Sequence, residues 1–144
     1  MNKILIVHTS WYQDYIKEMI DVSSENLADK FSLSFACAPG AIELAALAKH
    51  KIINTDDQYV GILFLGIVIR GDTSHYELVT NETFRSVGEL ALDYPDIAFI
   101  NNVICVENKE QLLERLVINT KNNSESLKKL INEKSSYPQS CHKK

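Results

Sequence analysis

Residues 61–69 (GILFLGIVI) carry no charged or polar side chain, the pattern of a strand buried on both faces of a parallel sheet. Shorter apolar runs at 3–8 (KILIVH), 32–38 (SLSFACA) and 97–104 (IAFINNVI) predict three further strands. Between the runs the spacing becomes helical. Tyr12, Tyr15, Ile16, Met19, Ile20, Leu27 and Phe31 form the stripe of a first helix, and Ser10 with Gln13 in capping-box spacing predicts its start near Trp11. Pro39-Gly40 breaks the second strand before an alanine-rich helix over 41–53. Val79, Thr83, Val87, Leu90 and Ala91 mark a third helix that stops ahead of Pro95. Asn108 caps a fourth through Leu112, Leu113, Leu116 and Val117; the pattern loosens over 119–124 and restarts at Leu127, Leu130 and Ile131, predicting two helical stretches. Residues 135–144 (SSYPQSCHKK) read as a flexible tail, leaving 1–134 as one domain.

Alternating strands and helices imply an α/β fold, a parallel sheet with helices on both faces. Asn101-Asn102 interrupts the fourth strand, and buried polar groups are costly unless satisfied, so the pair is expected at the strand's end, facing a site. There is no G-x-G-x-x-G and no Walker loop, which disfavours a dinucleotide or P-loop nucleotide. Such a fold serves many functions, and the fold alone selects none of them.

Composition narrows the classes. The chain has 144 residues, 45% hydrophobic and 24% charged, ordinary for a globular domain. A formal net charge of −4 argues against a nucleic-acid binder, which needs a basic face. The apolar run after Lys3 is too short for a signal peptide or a membrane span, so no membrane association and a cytoplasmic location are expected. Cys37, Cys105 and Cys141 share no metal-ligand spacing and read as reduced, mostly buried thiols; no metal site is expected.

The candidate chemistry follows the longest apolar run. Arg70, Gly71, Asp72, Thr73, Ser74 and His75 come without a spacer after Ile69, and in an open α/β sheet ligands bind at the carboxyl ends of strands. A loop feeding a helix offers unpaired N–H groups to a phosphate or carboxylate. His75 then stands where an imidazole moves a proton on the anchored substrate. The alternative is a plain helix cap at Thr73 or Ser74 with a solvated His75.

Two stretches carry a resemblance. Residues 39–43 (PGAIE) and 65–75 (LGIVIRGDTSH) resemble the P-G-A-x-E and L-G-x-V-I-R-G-x-T-x-H motifs of the lumazine synthase family, whose members make 6,7-dimethyl-8-ribityllumazine, the precursor of riboflavin. The resemblance runs from Lys3 to about Lys134 and implies a flavodoxin-like three-layer α/β/α arrangement around a four-stranded parallel sheet. It implies condensation of 5-amino-6-(D-ribitylamino)uracil with 3,4-dihydroxy-2-butanone 4-phosphate, releasing phosphate and water, with no metal or organic cofactor. A non-catalytic carrier or sensor of lumazine or flavin is the alternative. Carried over by position, Trp11 stacks on the pyrimidine, Ala41, Ile42 and Glu43 line that substrate, and Ile67, Val68 and Ile69 add backbone contacts to it. Asp72 and Thr73 bind the phosphate with Arg115, the Asp72 carboxylate turning away from it toward Arg70, and His75 is the proton-transfer residue.

The chain departs from the family's pattern in places. Asn122-Asn123-Ser124 stands where N-K-G is usual, removing a lysine that assists anion binding; Asn101 stands where many members carry an aromatic, and Ile42 where Phe is frequent. The resemblance also implies a pocket shared between subunits, with Asn101 and Arg115 supplied by a neighbour. The expected partners are therefore small-molecule substrates and other copies of the chain, as a pentamer that in some members stacks into a sixty-subunit shell. The chain starts at strand one, without the segment that in some members pairs with a neighbour's sheet, so the pentamer is the expected species.

Overall fold

A computed structural model describes residues 1–135. Four strands, β1 (Lys3–Thr9), β2 (Ser32–Ala38), β3 (Tyr59–Ile69) and β4 (Ala98–Val106), form one sheet in the order β2-β1-β3-β4, every pair parallel. The helices are α1 (Gln13–Leu27), α2 (Leu44–Ile53), α3 (His75–Asp93) and α4 (Lys109–Ser135), and a 3-10 turn at Ala41–Glu43 leads into α2. This is the expected three-layer flavodoxin-like arrangement.

Strand alternation divides the core in two. On one face Ile4, Ile6, Leu63, Leu65 and Ile67 pack beneath Ile16, Met19 and Leu27 of α1 and Leu112, Leu116, Leu127 and Ile131 of α4. On the other, Leu5, Val7, Ile62 and Phe64 pack beneath Leu44 and Ala48 of α2 and Val87 and Leu90 of α3. Covering both faces is what makes the β3 run continuous rather than alternating. Gly61 lets α4 sit close, since a Cβ there would lie 2.8 Å from Ile131 Cδ1.

Several local expectations are corrected. The first helix begins at Gln13, after Tyr12 in the left-handed region (φ 59°, ψ 53°), with no side-chain cap; Ser10 Oγ donates to Pro39 O at 3.4 Å instead. The two expected C-terminal stretches are one helix of 27 residues. Ser135 belongs to it, and the rest of the expected tail, with Cys141, lies outside the described residues.

The reason α4 does not break is also the reason for the Asn pair. Asn101 and Asn102 lie in the middle of β4, not at its end. Asn102, 2% exposed, faces α4: its Nδ2 donates to Thr120 Oγ1 at 2.9 Å, and Asn123 Nδ2 donates to its Oδ1 at 2.6 Å. Ser124 Oγ returns to Thr120 O at 2.7 Å. Of the polar residues that loosen the apolar stripe, Thr120 and Ser124 are buried and Asn123 half-buried, and Asn102 satisfies Thr120 and Asn123 from the strand. Asn101 points to the opposite face of the edge strand and accepts from Val103 N–H at 2.9 Å.

Candidate active site

The strand order places a topological switch point between β1 and β3, because the chain winds outward from β1 to β2 and then outward the other way through β3 to β4. Loops at the carboxyl ends of two such strands diverge and leave a crevice. Here the crevice is a cavity of about 410 Å³ lined by Trp11 and Tyr12 after β1, Gly40 to Glu43 after β2, Ile67 to Ile69 at the end of β3, and His75 and Val79 of α3. Eight of the residues expected in a site meet there: Trp11, Ala41, Ile42, Glu43, Ile67, Val68, Ile69 and His75.

The cavity is open and its lip is apolar. Trp11 is 67% exposed and Ile42 45%, large apolar faces of the kind that receive a planar ring. Tyr12 holds a left-handed backbone that costs a non-glycine residue roughly 1–3 kcal/mol, a strain that collects at functional sites. It turns the chain sharply between β1 and α1, so that Trp11 projects over the crevice. Glu43 folds back across Gly40: a Cβ on Gly40 would lie 2.9 Å from Glu43 Oε1. Tyr12, Gly40 and Val79 were not anticipated as lining residues; Tyr12 was read as part of the helical stripe, and only its backbone angle sets it apart.

Asp72 and Thr73 sit in the exposed loop just before His75, outside the cavity lining. Thr73 Oγ1 accepts from His75 N–H at 3.2 Å, and Ser74 is the N-cap of α3 without a side-chain cap bond. The expected turn of Asp72 toward Arg70 does not occur. Arg70 Nε donates to Glu107 Oε1 at 2.7 Å and its Nη1 to Glu77, while its guanidinium lies 4.2 Å from the Tyr76 ring centroid. Glu77 first, then Glu107, hold its pKa above the ordinary arginine value. Tyr76 is pushed up in turn, mainly by burial.

Asn101 and Arg115 are not brought to this cavity by their own chain. Arg115 is exposed on α4, its Nη1 reaching only Gln111 Oε1 at 3.5 Å, and among the described residues it has no ion pair. Among the described residues the lining contains no lysine or arginine. A larger cleft of about 490 Å³ opens at the amino ends of β3 and β4, but its lining includes Asp56, Asp93 and Asp96, the wrong sign for an anion. Cys37 is exposed, against the expectation of buried thiols; Cys105 is half-buried, and burial pushes its thiol up to about 11, so it stays protonated at neutral pH. Among the described residues no cluster of three metal-ligating side chains occurs, and no helix is long and apolar enough to cross a membrane.

Fold and cavity define an α/β protein with an open cavity at its strand switch point, one wall aromatic and one carrying an imidazole at a helix start. The pattern that describes 6,7-dimethyl-8-ribityllumazine synthases matches residues 1–132. The chain is 38% identical over 117 residues to the 6,7-dimethyl-8-ribityllumazine synthase of Sphingopyxis alaskensis, covering 80% of this chain and 79% of that one. It is 34% identical over 116 residues to 6,7-dimethyl-8-ribityllumazine synthase 1 of Rhizobium meliloti, covering 78% and 75%. Against the synthase of Neisseria meningitidis serogroup C the figure is 33% over 119 residues, covering 79% and 73%. The chain belongs to the 6,7-dimethyl-8-ribityllumazine synthase family.

Proposed function

We infer that the protein is a transferase of riboflavin biosynthesis: it condenses 5-amino-6-(D-ribitylamino)uracil with 3,4-dihydroxy-2-butanone 4-phosphate in a site that a second copy of the chain completes. The observation that carries the reading is the cavity itself, which gathers Trp11, the 41–43 turn, the end of β3 and His75 from separate loops. Trp11 stacks on the pyrimidine ring, Glu43 accepts hydrogen bonds from ribityl hydroxyls, and main-chain groups of Ile67, Val68 and Ile69 meet the uracil edge. The amine attacks the ketone with loss of water, phosphate is eliminated to leave a new carbonyl, and the ribitylamino nitrogen closes the ring on that carbonyl with loss of a second water. Holding both partners together supplies much of the rate, as oriented groups reach effective molarities of about 10⁵ M or more. His75 takes and returns protons.

The phosphate needs a cation that this cavity lacks. Thr73 and the N–H groups of the 71–74 loop face the anion in this reading, and Arg115 of a neighbouring copy supplies the charge, with Asn101 beside it. Ile118, three residues on from Arg115 and so on the same side of α4, is 62% exposed, apolar surface of the kind an adjacent subunit covers. A ring of five is the proposed assembly, acting in the cytoplasm.

Purified protein given both substrates is expected to form the fluorescent lumazine faster than the uncatalysed reaction, and to sediment as a pentamer. Tight product binding without turnover would make it a carrier instead, and an active monomer would remove the shared site.

A further inference from the structure

Arg70 is a cation next to a proposed anion site, yet its side chain is already engaged. Its backbone N–H donates to Val106 O at 2.9 Å, carrying the β3–β4 pairing past the end of β3. Its guanidinium meets Glu107 just after β4, and Tyr76 and Glu77, the second and third residues of α3. One side chain thus ties together the end of β3, the turn after β4 and the first turn of the helix that begins with His75.

The intervening loop has little else to hold it. Residues 71–75 are all exposed, Ser74 makes no side-chain cap bond, and a Cβ at Gly71 would meet nothing within 4 Å. Among the described residues the one hydrogen bond that a loop side chain makes is Thr73 Oγ1 accepting from His75 N–H. A first turn with unpaired N–H groups and no burial is where a helix opens. The two ion pairs are solvent-exposed and individually weak. Their effect is directional, because a planar fork can grip two carboxylates while its face stacks on a ring, which an ammonium cannot do.

We propose that Arg70 is a positioning residue for the reaction: by clamping Tyr76 and Glu77 against Glu107 it fixes the first turn of α3, and with it the His75 imidazole at the cavity, and it does not itself bind the substrate's phosphate. This rests on the reading of His75 as the proton-transfer residue.

The test uses the full chain in its native assembly and compares Arg70→Gln, Arg70→Lys, Glu107→Gln, His75→Ala and the Arg70→Gln/His75→Ala double variant. A misplaced catalytic group lowers kcat by up to about 10²-fold, so Arg70→Gln is expected to lose between about tenfold and that limit. The KM for the pyrimidine should hardly move, because Trp11 and Glu43 lie on other loops. Arg70→Lys should recover part of the loss, and Glu107→Gln should lose less than Arg70→Gln. In the His75→Ala background Arg70→Gln should cost nothing more, since the two act as a unit. The same loss in both backgrounds overturns the proposal, as does a rise in KM for the phosphate substrate with kcat intact. If Arg70→Gln does not assemble, Glu107→Gln with and without His75→Ala decides by the same non-additivity. An unchanged rate for His75→Ala alone would instead remove the His75 reading, a result distinct from a slow His75→Ala beside an unaffected Arg70→Gln, which sinks only the clamp.

Discussion

Replacing Asn102 by Ala removes one donor and one acceptor from the most deeply buried polar contact between β4 and α4. Thr120 is fully buried and loses the Asn102 Nδ2 donor that reaches it at 2.9 Å. Asn123 is half-buried, so its amide can turn to water when its 2.6 Å partner disappears. One buried group left unpaired costs roughly 1–3 kcal/mol, and the second contact less because it is recoverable, so the variant should be destabilised by about 2 kcal/mol. Thr120→Val is expected to cost a similar amount by stranding the Asn102 amide. The Asn102→Ala/Thr120→Val pair, which removes both partners together, should cost clearly less than the sum of the two single changes. Urea unfolding at one fixed protein concentration measures all four forms, because assembly contributes to apparent stability. Strictly additive losses would refute the reasoning and leave the continuity of α4 to its apolar stripe alone.

Gly40→Ala should act on Glu43 and little else, since Gly40 has an extended backbone (φ −153°, ψ 176°) that alanine adopts freely and only the carboxylate 2.9 Å away is in the way. Losing one hydrogen bond of about 0.5–1.5 kcal/mol raises the KM for the ribityl-bearing substrate roughly 2- to 10-fold; an equal rise for both substrates in steady-state kinetics would point away from Glu43. Arg115→Ala should leave chain stability unchanged, because among the described residues it has no ion pair, while raising the KM for the phosphate-bearing substrate by about 10- to 100-fold as a charged hydrogen bond of about 1.5–3 kcal/mol is lost. A matching loss of unfolding free energy would show that Arg115 serves the fold.

The sheet was legible because its central strands β1 and β3 are apolar on both faces, and the edge strand β2 was read to the residue. Where the apolar pattern faded, the reading failed for a shared reason. Thr120, Asn123 and Ser124 look like a loop in one dimension, and only the opposing Asn102 shows that polarity there is interior. Ser10 and Gln13 have the spacing of a cap, but Tyr12 turns left-handed first and carries the helix start past it. Cys37 lies in an apolar run yet is exposed, because β2 is an edge strand and α1 does not reach over its end. Local spacing records what a residue can do with its neighbours in the chain, and these outcomes were decided by partners 18 or 21 residues away, or by a sheet edge.

The candidate site divides along the same line. The loops after β1, β2 and β3 converge because the strand order makes them converge, so Trp11, Glu43 and His75 meet within one chain. The residues expected to neutralise a phosphate do not. Arg70, the nearest cation in sequence, is spent on Glu77 and Glu107, and Arg115 stands exposed on α4 on the same side as the exposed Ile118. In the proposed function, a site with an aromatic wall, an acid and an imidazole but, among its described lining residues, no cation holds the uncharged substrate by itself, and the anionic one needs a charge from elsewhere. In the proposed shared site, docking that buries Ile118 on one copy also carries the Arg115 beside it into the other copy's cavity, so burying apolar surface and completing the charge balance become one event. On that proposal assembly is a condition of phosphate binding, and dilution that dissociates the subunits should weaken the phosphate-bearing substrate before it weakens the pyrimidine.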